Sequence, residues 1–368
     1  MTGRIVLFGA TGYTGELTAE ALVAEGARPV LAGRNAERLA DLAQRLGGLE
    51  TAVADVAAAA TVRALVEAGD VLVSTVGPFT RWGEPAVSAA IDAGAAYLDS
   101  TGEPPFIRDV FERYGPLARR SGAGLVTAFG HDWVPGNVAG ALVLREAGEH
   151  AARVDIGYFT TGTAGAGGVS GGTRASLAGV ATEPGFTFAG GALRTERAAA
   201  RVRGFRVGTE LRPAVSVGSS EHFALPRLAP GLLEVDTYLG GFGPLTRPLR
   251  AFSAGGALLT GVPGVRAGIG ALVAKLVRGS TGGPDAASRA RSAAHIVATA
   301  YDSRGAQLAE VRLTGVNPYD FTARILAWGA QRAATTGLNG TGALGPVEAF
   351  GLDEMVAACS EAGLQRDG

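Results

Sequence analysis

The chain has 368 residues, 47% of them hydrophobic and 18% charged, which is long for one domain and far from the composition of a disordered protein. Its 33 Lys and Arg nearly cancel 34 Asp and Glu, so no global field favours nucleic acid or an anionic membrane surface. A single cysteine, Cys359, excludes a disulfide framework, and histidines scattered at 131, 150, 222 and 295 offer no metal-ligand spacing.

The opening segment lacks the basic and then apolar pattern of a secretory leader. Arg4 to Gly9 reads instead as a short strand buried on both faces of a parallel sheet. Leu17, Ala21 and Ala24 lie on one face of a helix that Gly26 stops, Pro29–Gly33 is a second strand, and Leu39, Leu42 and Leu46 mark a second helix. Strands follow at Thr51–Ala54, Val71–Val76, Ala96–Leu98 and Gly124–Ala128, with helical segments at 58–68, 83–94 and 107–121 between them. Six strands alternating with helices predict an α/β fold, a Rossmann-type doubly wound parallel sheet over residues 1–135. Beyond it Val154, Ile156 and Tyr158 alternate as in a half-exposed strand, and a Gly-rich stretch runs from Thr163 to Thr173. The strands His295–Tyr301 and Leu308–Leu313 flank the turn Asp302-Ser303-Arg304-Gly305. These features predict an α+β second domain over 136–335, inserted before a C-terminal segment, 336–368, that packs back on the first domain. Residues 185–290 show no persistent period, and the longest uncharged apolar run, Ala251 to Val265, is too short for a spanning helix of about 20 residues. A soluble, cytoplasmic protein without a stable membrane span is expected.

Gly9-Ala10-Thr11-Gly12-Tyr13-Thr14-Gly15 joins the first strand to the first helix, where a dinucleotide fold keeps its phosphate site. Gly9 permits the tight turn, Gly12 lets backbone approach a pyrophosphate, and Gly15 permits close helix–strand packing, while the helix N-terminus offers free N–H groups to the anion. The spacing G-x-x-G-x-x-G is a variant of the usual loop. Gly33-Arg34-Asn35 closes the second strand with an arginine where an NAD-specific fold has a carboxylate, and a guanidinium fork suits a 2′-phosphate, so NADP is the expected cofactor. Asp55, after the third strand, either accepts from the adenine amine or caps the next helix. Val76-Gly77-Pro78-Phe79, after the fourth, is expected to run along the nicotinamide ribose. No residues form a metal site.

These segments, with Gly83 and Tyr97-Leu98-Asp99-Ser100-Thr101-Gly102-Glu103, resemble the saccharopine dehydrogenase-like oxidoreductases, and most nearly their actinobacterial branch, the trans-acting enoyl reductases. The resemblance is strong over about 1–140 and patchy beyond, where Gly171-Gly172-Thr173 with Ser176, Asn317-Pro318-Tyr319 with Thr322, and Gly345-Pro346-Val347-Glu348-Ala349 carry it. It implies an NADP-binding Rossmann domain, an inserted α+β domain and a last helix returning to the first, in enzymes that reduce C=N bonds or C=C bonds of polyketide-derived acyl chains. The chain departs from the family at Gly130-His131-Asp132-Trp133-Val134-Pro135, where the family tends to carry an aromatic in place of His131 and a small polar residue in place of Trp133. His131 and Asp132 are the candidate proton donors, set against a packed aromatic substitute for the first and a helix cap for the second. Asp99, Glu103, Trp133 and Thr173 are candidate substrate contacts, with helix capping the alternative for Asp99 and Glu103.

The expected function is therefore an NADPH-dependent reductase of an enoyl-type C=C bond in a hydrophobic, polyketide- or lipid-derived acyl substrate. Two alternatives stay open: a C=N reductase of the saccharopine type, and a non-catalytic NADP-binding protein. Self-association into a homodimer is left open by the sequence.

Overall fold

The structure is a computed structural model that describes residues 3–162, 184–241 and 282–367. The chain divides into two compact units, one comprising 1–101, 106–134 and 318–362, the other 102–105, 135–317 and 363–368. The return to the first unit thus begins at Pro318, not at 336, and the last residues go back to the second unit.

The first unit is a parallel sheet whose strands are β1 (Ile5–Phe8), β2 (Val30–Gly33), β3 (Thr51–Val53), β4 (Val71–Ser74), β5 (Ala96–Asp99) and β6 (Gly124–Val126), joined by a short strand that returns from the C-terminal part, Gly342–Ala343. Its order is Gly342–Ala343, β6, β5, β4, β1, β2, β3. All its pairings are parallel. Leu7, Leu31, Leu72 and Leu98 are fully buried along it, as strands covered on both faces require. The chain order reverses direction between β1 and β4, so the carboxyl ends of these two strands open the crevice in which doubly wound sheets hold ligands. The seventh strand was not expected: two residues are too few to show a period.

The helix Pro318–Thr336 packs against the helix Tyr13–Ala24 and the centre of the sheet. Its Gly329 is what allows that approach, since a Cβ there would lie 2.4 Å from Phe129 Cε1. The third helical segment runs as Pro104–Asp109, one π-helical turn Val110–Tyr114, and Gly115–Ser121.

The second unit is built on a mixed sheet: β7 (Arg153–Gly162), β8 (Pro184–Ala189), β9 (Ala192–Arg197), β10 (Val202–Val207), β11 (Glu210–Val217), β12 (Glu234–Gly240), β13 (Ser292–Tyr301), β14 (Gln307–Gly315) and a final strand Leu364–Arg366. The main path is β10, β11, β12, β7, β13, β14 and the final strand, with β8 and β9 attached to β12 as a hairpin. The predicted β13–β14 turn is present: the Asp302 carboxylate accepts from the N–H groups of Arg304 and Ala306 at 2.9 and 2.8 Å.

The alternation in β7 misled in one respect. The strand is buried on both faces from Val154 to Phe159 rather than half exposed. The sheet curls until Arg312 of β14 donates to the Arg206 carbonyl of β10 at 2.5 Å, enclosing Phe159, Phe205, Val207, Ala214, Tyr238 and Val297. Asp155 is tolerated inside the curl because Arg153 and Arg203 pair with it. The opposite face of β7 takes the helix Val134–Ala147, whose Gly140 would bring a Cβ within 2.6 Å of Leu225. Among the described residues no helix is long and apolar enough to cross a membrane. Thr173 with its Gly-rich stretch, and the apolar run from Ala251, lie outside the described residues.

Candidate functional site

The loops that leave β1, β2, β4 and β6 meet at the carboxyl edge of the first unit's sheet. Gly9 turns with φ +91°, and a Cβ there would lie 2.7 Å from Thr75 Oγ1. Thr75 in turn donates to the Gly9 carbonyl at 3.1 Å, tying the end of β4 to the glycine loop. Gly12 is the N-cap of the helix Tyr13–Ala24 and Gly15 lies in its first turn. A Cβ on Gly15 would sit 2.1 Å from the Gly9 carbonyl, so this glycine is required by packing within the protein. A Cβ on Gly12 would meet only the Gly9 oxygen, at 3.3 Å, and otherwise open space. The space in front of Gly12 is therefore a cradle at a helix N-terminus, of the kind that takes a pyrophosphate. That arrangement fits a dinucleotide.

Arg34 is exposed at the end of β2 and makes no hydrogen bond or ion pair among the described residues. Its guanidinium is available to an outside anion. Asn35, predicted beside it as a cofactor ligand, uses its side chain to cap the helix Ala36–Arg45, accepting from the Arg38 N–H at 2.9 Å. Asp55 accepts from the N–H of Ala57 at 2.9 Å, a local turn ahead of the helix Ala59–Arg63, whose N-cap is Ala58, so Asp55 does not cap that helix. Sequence reasoning missed Arg38. It reaches back to the Thr11 carbonyl at 2.6 Å and lies 3.5 Å from Glu16, joining the loop after β2 to the loop after β1. Its place four residues beyond Arg34 was the available signal.

After β4, Val76 is half buried while Gly77 and Pro78 are exposed at the edge, the backbone an extended ligand would pass. Phe79 turns away. It is buried against Phe106 at 5.5 Å between ring centroids, so its side chain serves the core.

Asp99 corrects a second expectation. It is fully buried and accepts from Thr101 N–H at 2.9 Å, Ala128 N–H at 2.9 Å and Thr127 Oγ1 at 2.8 Å. These bonds tie the end of β5 to the end of β6, and the carboxylate points into the fold instead of towards a substrate. Burial pushes its carboxyl up to about 6, against the pull of the donors around it. Glu103 is half buried immediately before the helix Pro104–Asp109.

The segment after β6 departs from the helix-cap alternative. The helix begins at Val134, and the Asp132 carboxylate bonds His131 Nδ1 at 3.2 Å, its side chain 47% exposed against 8% for His131. The His131 backbone N–H donates to Thr322 Oγ1 at 3.0 Å, and its ring stands edge-on to Phe321. Asp132 is thus the accessible member of a pair whose histidine is packed and held. Trp133 is buried, 2% exposed, and its backbone N–H donates to the Ala128 carbonyl at 2.9 Å.

The second unit holds a separate buried polar group. Tyr158 donates to Glu221 at 2.6 Å and accepts from the Gly136 N–H at 2.7 Å, and Asn137 donates to Ser220 at 2.9 Å. His222 is fully enclosed, with Ser219 Oγ 3.0 Å from Nδ1 and the Phe186 ring edge-on, and burial lowers its pKa to about 4. Among the described residues no cluster of His, Cys, Asp and Glu is arranged to hold a metal ion.

Comparison with known proteins agrees with this geometry. Residues 5–125 match the family model of the saccharopine dehydrogenase NADP binding domain. A protein of Mycobacterium tuberculosis is 41% identical over 186 residues, 47% of this chain and 43% of that one. A trans-acting enoyl reductase of Mycobacterium ulcerans is 39% identical over 152 residues, 40% of this chain and 36% of the relative. The chain thus spans less than half the length of these relatives. Among solved structures, apo saccharopine dehydrogenase (L-Glu forming) from Saccharomyces cerevisiae superposes with a TM-score of 0.60 at 12% identity, covering 99% of both chains, a likeness of fold alone.

Proposed function

We propose that the chain is an NADPH-dependent reductase, and that its substrate carries an enoyl-type C=C bond on a hydrophobic acyl group. The observation that carries the reductase is the pairing of an open pyrophosphate cradle at Gly12 with the unpaired, exposed Arg34, in a segment that matches an NADP-binding family. The C=C preference is supported by the sequence relatives named trans-acting enoyl reductases; the likeness to saccharopine dehydrogenase, at 12% identity, is one of fold.

Bound reduced nicotinamide supplies a hydride. The chain's residues do the rest. Gly12 and the helix start receive the pyrophosphate, Arg34 the 2′-phosphate, and the backbone of Val76, Gly77 and Pro78 the nicotinamide half. A C=C bond reduced next to a carbonyl must also gain a proton on its second carbon. Asp132 is a half-exposed acid on the same edge of the sheet, and His131, bonded to it, holds and relays charge from behind. Trp133, buried beside them, fills space that a smaller residue would leave to substrate.

The test is loss of NADPH absorbance in the presence of 2-enoyl thioesters of increasing chain length, set beside a 2-oxo acid plus an amino acid that together form an imine. Consumption with the thioesters and none with the imine pair is the expected result. Consumption with the imine pair alone would move the assignment to C=N reduction. Failure to bind NADPH at all would refute both.

A further inference from the structure

The helix Pro318–Thr336 begins beside the cofactor loop, and its first two turns touch two of the loops that make the site. The Tyr319 ring stands edge-on to that of Tyr13, 5.2 Å between centroids and 85° between planes. Tyr13 is the first residue of the helix that Gly12 caps, next in the chain to the pyrophosphate cradle. One turn on, Thr322 Oγ1 accepts the His131 N–H at 3.0 Å and donates to the Pro318 carbonyl at 2.7 Å. A Cβ on Gly130 would lie 2.9 Å from the Thr322 methyl, so that loop is pressed against the same helix. Nothing in the chemistry above uses Tyr319 or Thr322.

We infer that Tyr319 is a positioning residue for the cofactor, acting through Tyr13: the edge-to-face contact holds the Tyr13 ring, and with it the first turn of the phosphate-binding helix, in the place that receives the pyrophosphate of NADP. The geometry favours this over simple core packing because both tyrosines are only partly buried, and Tyr13 adjoins the glycine loop. A partly exposed aromatic pair removes less apolar area from water than a core pair does. Aromatic edge-to-face pairs are worth about 0.5–1.5 kcal/mol beyond area, which corresponds to roughly 2–10-fold in affinity.

The inference rests on NADPH binding by the wild type, which is measured first; without that binding the reductase reading itself fails, independently of Tyr319. The intact chain is then titrated with NADPH and with adenosine 2′-monophosphate, which reports the Arg34 site alone. Tyr319→Ala is expected to weaken NADPH roughly 2–10-fold and leave the mononucleotide unchanged, while Tyr319→Phe, which keeps the ring, restores NADPH affinity. Because Tyr319 acts through Tyr13, adding Tyr319→Ala to Tyr13→Ala is expected to cost nothing further. Unchanged NADPH affinity in Tyr319→Ala would overturn the inference. So would equal weakening of both ligands, or fully additive losses in the double variant. If Tyr319→Ala fails to fold, a Tyr319→Leu variant that folds and binds NADPH as the wild type does would also overturn it.

Discussion

Gly12 and Gly15 lie three residues apart in one loop, and the structure predicts opposite consequences for enlarging them. At Gly12 the backbone is ordinary, with φ −83° and ψ 166°, and an added Cβ meets only the Gly9 oxygen at 3.3 Å. The cost to the cofactor-free protein is chiefly that of a poorer N-cap, about 0.5–1 kcal/mol, or roughly 1 °C in Tm. The wild type with NADPH at about 100 times its Kd gains about 2.7 kcal/mol, roughly 3–4 °C for a chain of 368 residues. Gly12→Val places its side chain in the cradle and abolishes that gain. At Gly15 a Cβ would sit 2.1 Å from the Gly9 oxygen and 2.9 Å from Ala10 Cα, so Gly15→Ala forces helix and strand apart. Such overpacking costs about 1–3 kcal/mol or more whether or not cofactor is present. Thermal unfolding with and without NADPH separates the two. A Gly12→Val protein that still gains several degrees from NADPH would refute the cradle and leave the loop a structural turn.

Three further outcomes follow from the same geometry. Arg34→Ala is expected to weaken NADPH about 10–100-fold and leave NADH nearly unchanged, since a charge-assisted hydrogen bond is worth about 1.5–3 kcal/mol; equal loss for both cofactors in a binding titration would exclude Arg34 from the 2′-phosphate. Asp132→Asn, or His131→Phe, is expected to lower kcat about 10²–10⁴-fold with little change in KM, and near-normal kcat in both variants would show that the proton comes from elsewhere. His222 has its folded pKa depressed from 6.5 to about 4 by burial, so the unfolded chain binds the extra proton first on acidification. The stability it contributes is present above pH 6.5 and is lost as pH falls towards 4, by about 3 kcal/mol at most. Chemical denaturation across that window is expected to show a drop that His222→Phe lacks, and a parallel slope in both proteins would contradict the assignment.

The first unit was legible because each of its strands is short, apolar and bounded by glycine, and because a parallel sheet covered on both faces makes apolar runs out of its strands. The Gly9–Gly15 loop was legible for a local reason: tight turn, phosphate approach and helix packing all act within seven residues of chain. Arg34 needed only its distance from the strand end. Tertiary contact decided everything that depends on what lies across the fold. Asn35, Asp55 and Phe79 stand in the motif, but their side chains cap a turn or a helix or fill the core. Asp99 is drawn inward by three donors from two separate segments, the nearer at Thr101 and the farther at Thr127 and Ala128. No pattern in β7 shows that the second sheet curls over it, because curvature comes from strands more than forty residues away. Tyr319 is 306 positions from Tyr13, and Thr322 is 191 from His131. The sequence by itself determined the parallel sheet, the dinucleotide loop and the cation beside it, all products of local spacing. Only the tertiary structure decided which polar side chains face the ligand and which are buried, since that depends on non-local neighbours that satisfy or fail to satisfy each group.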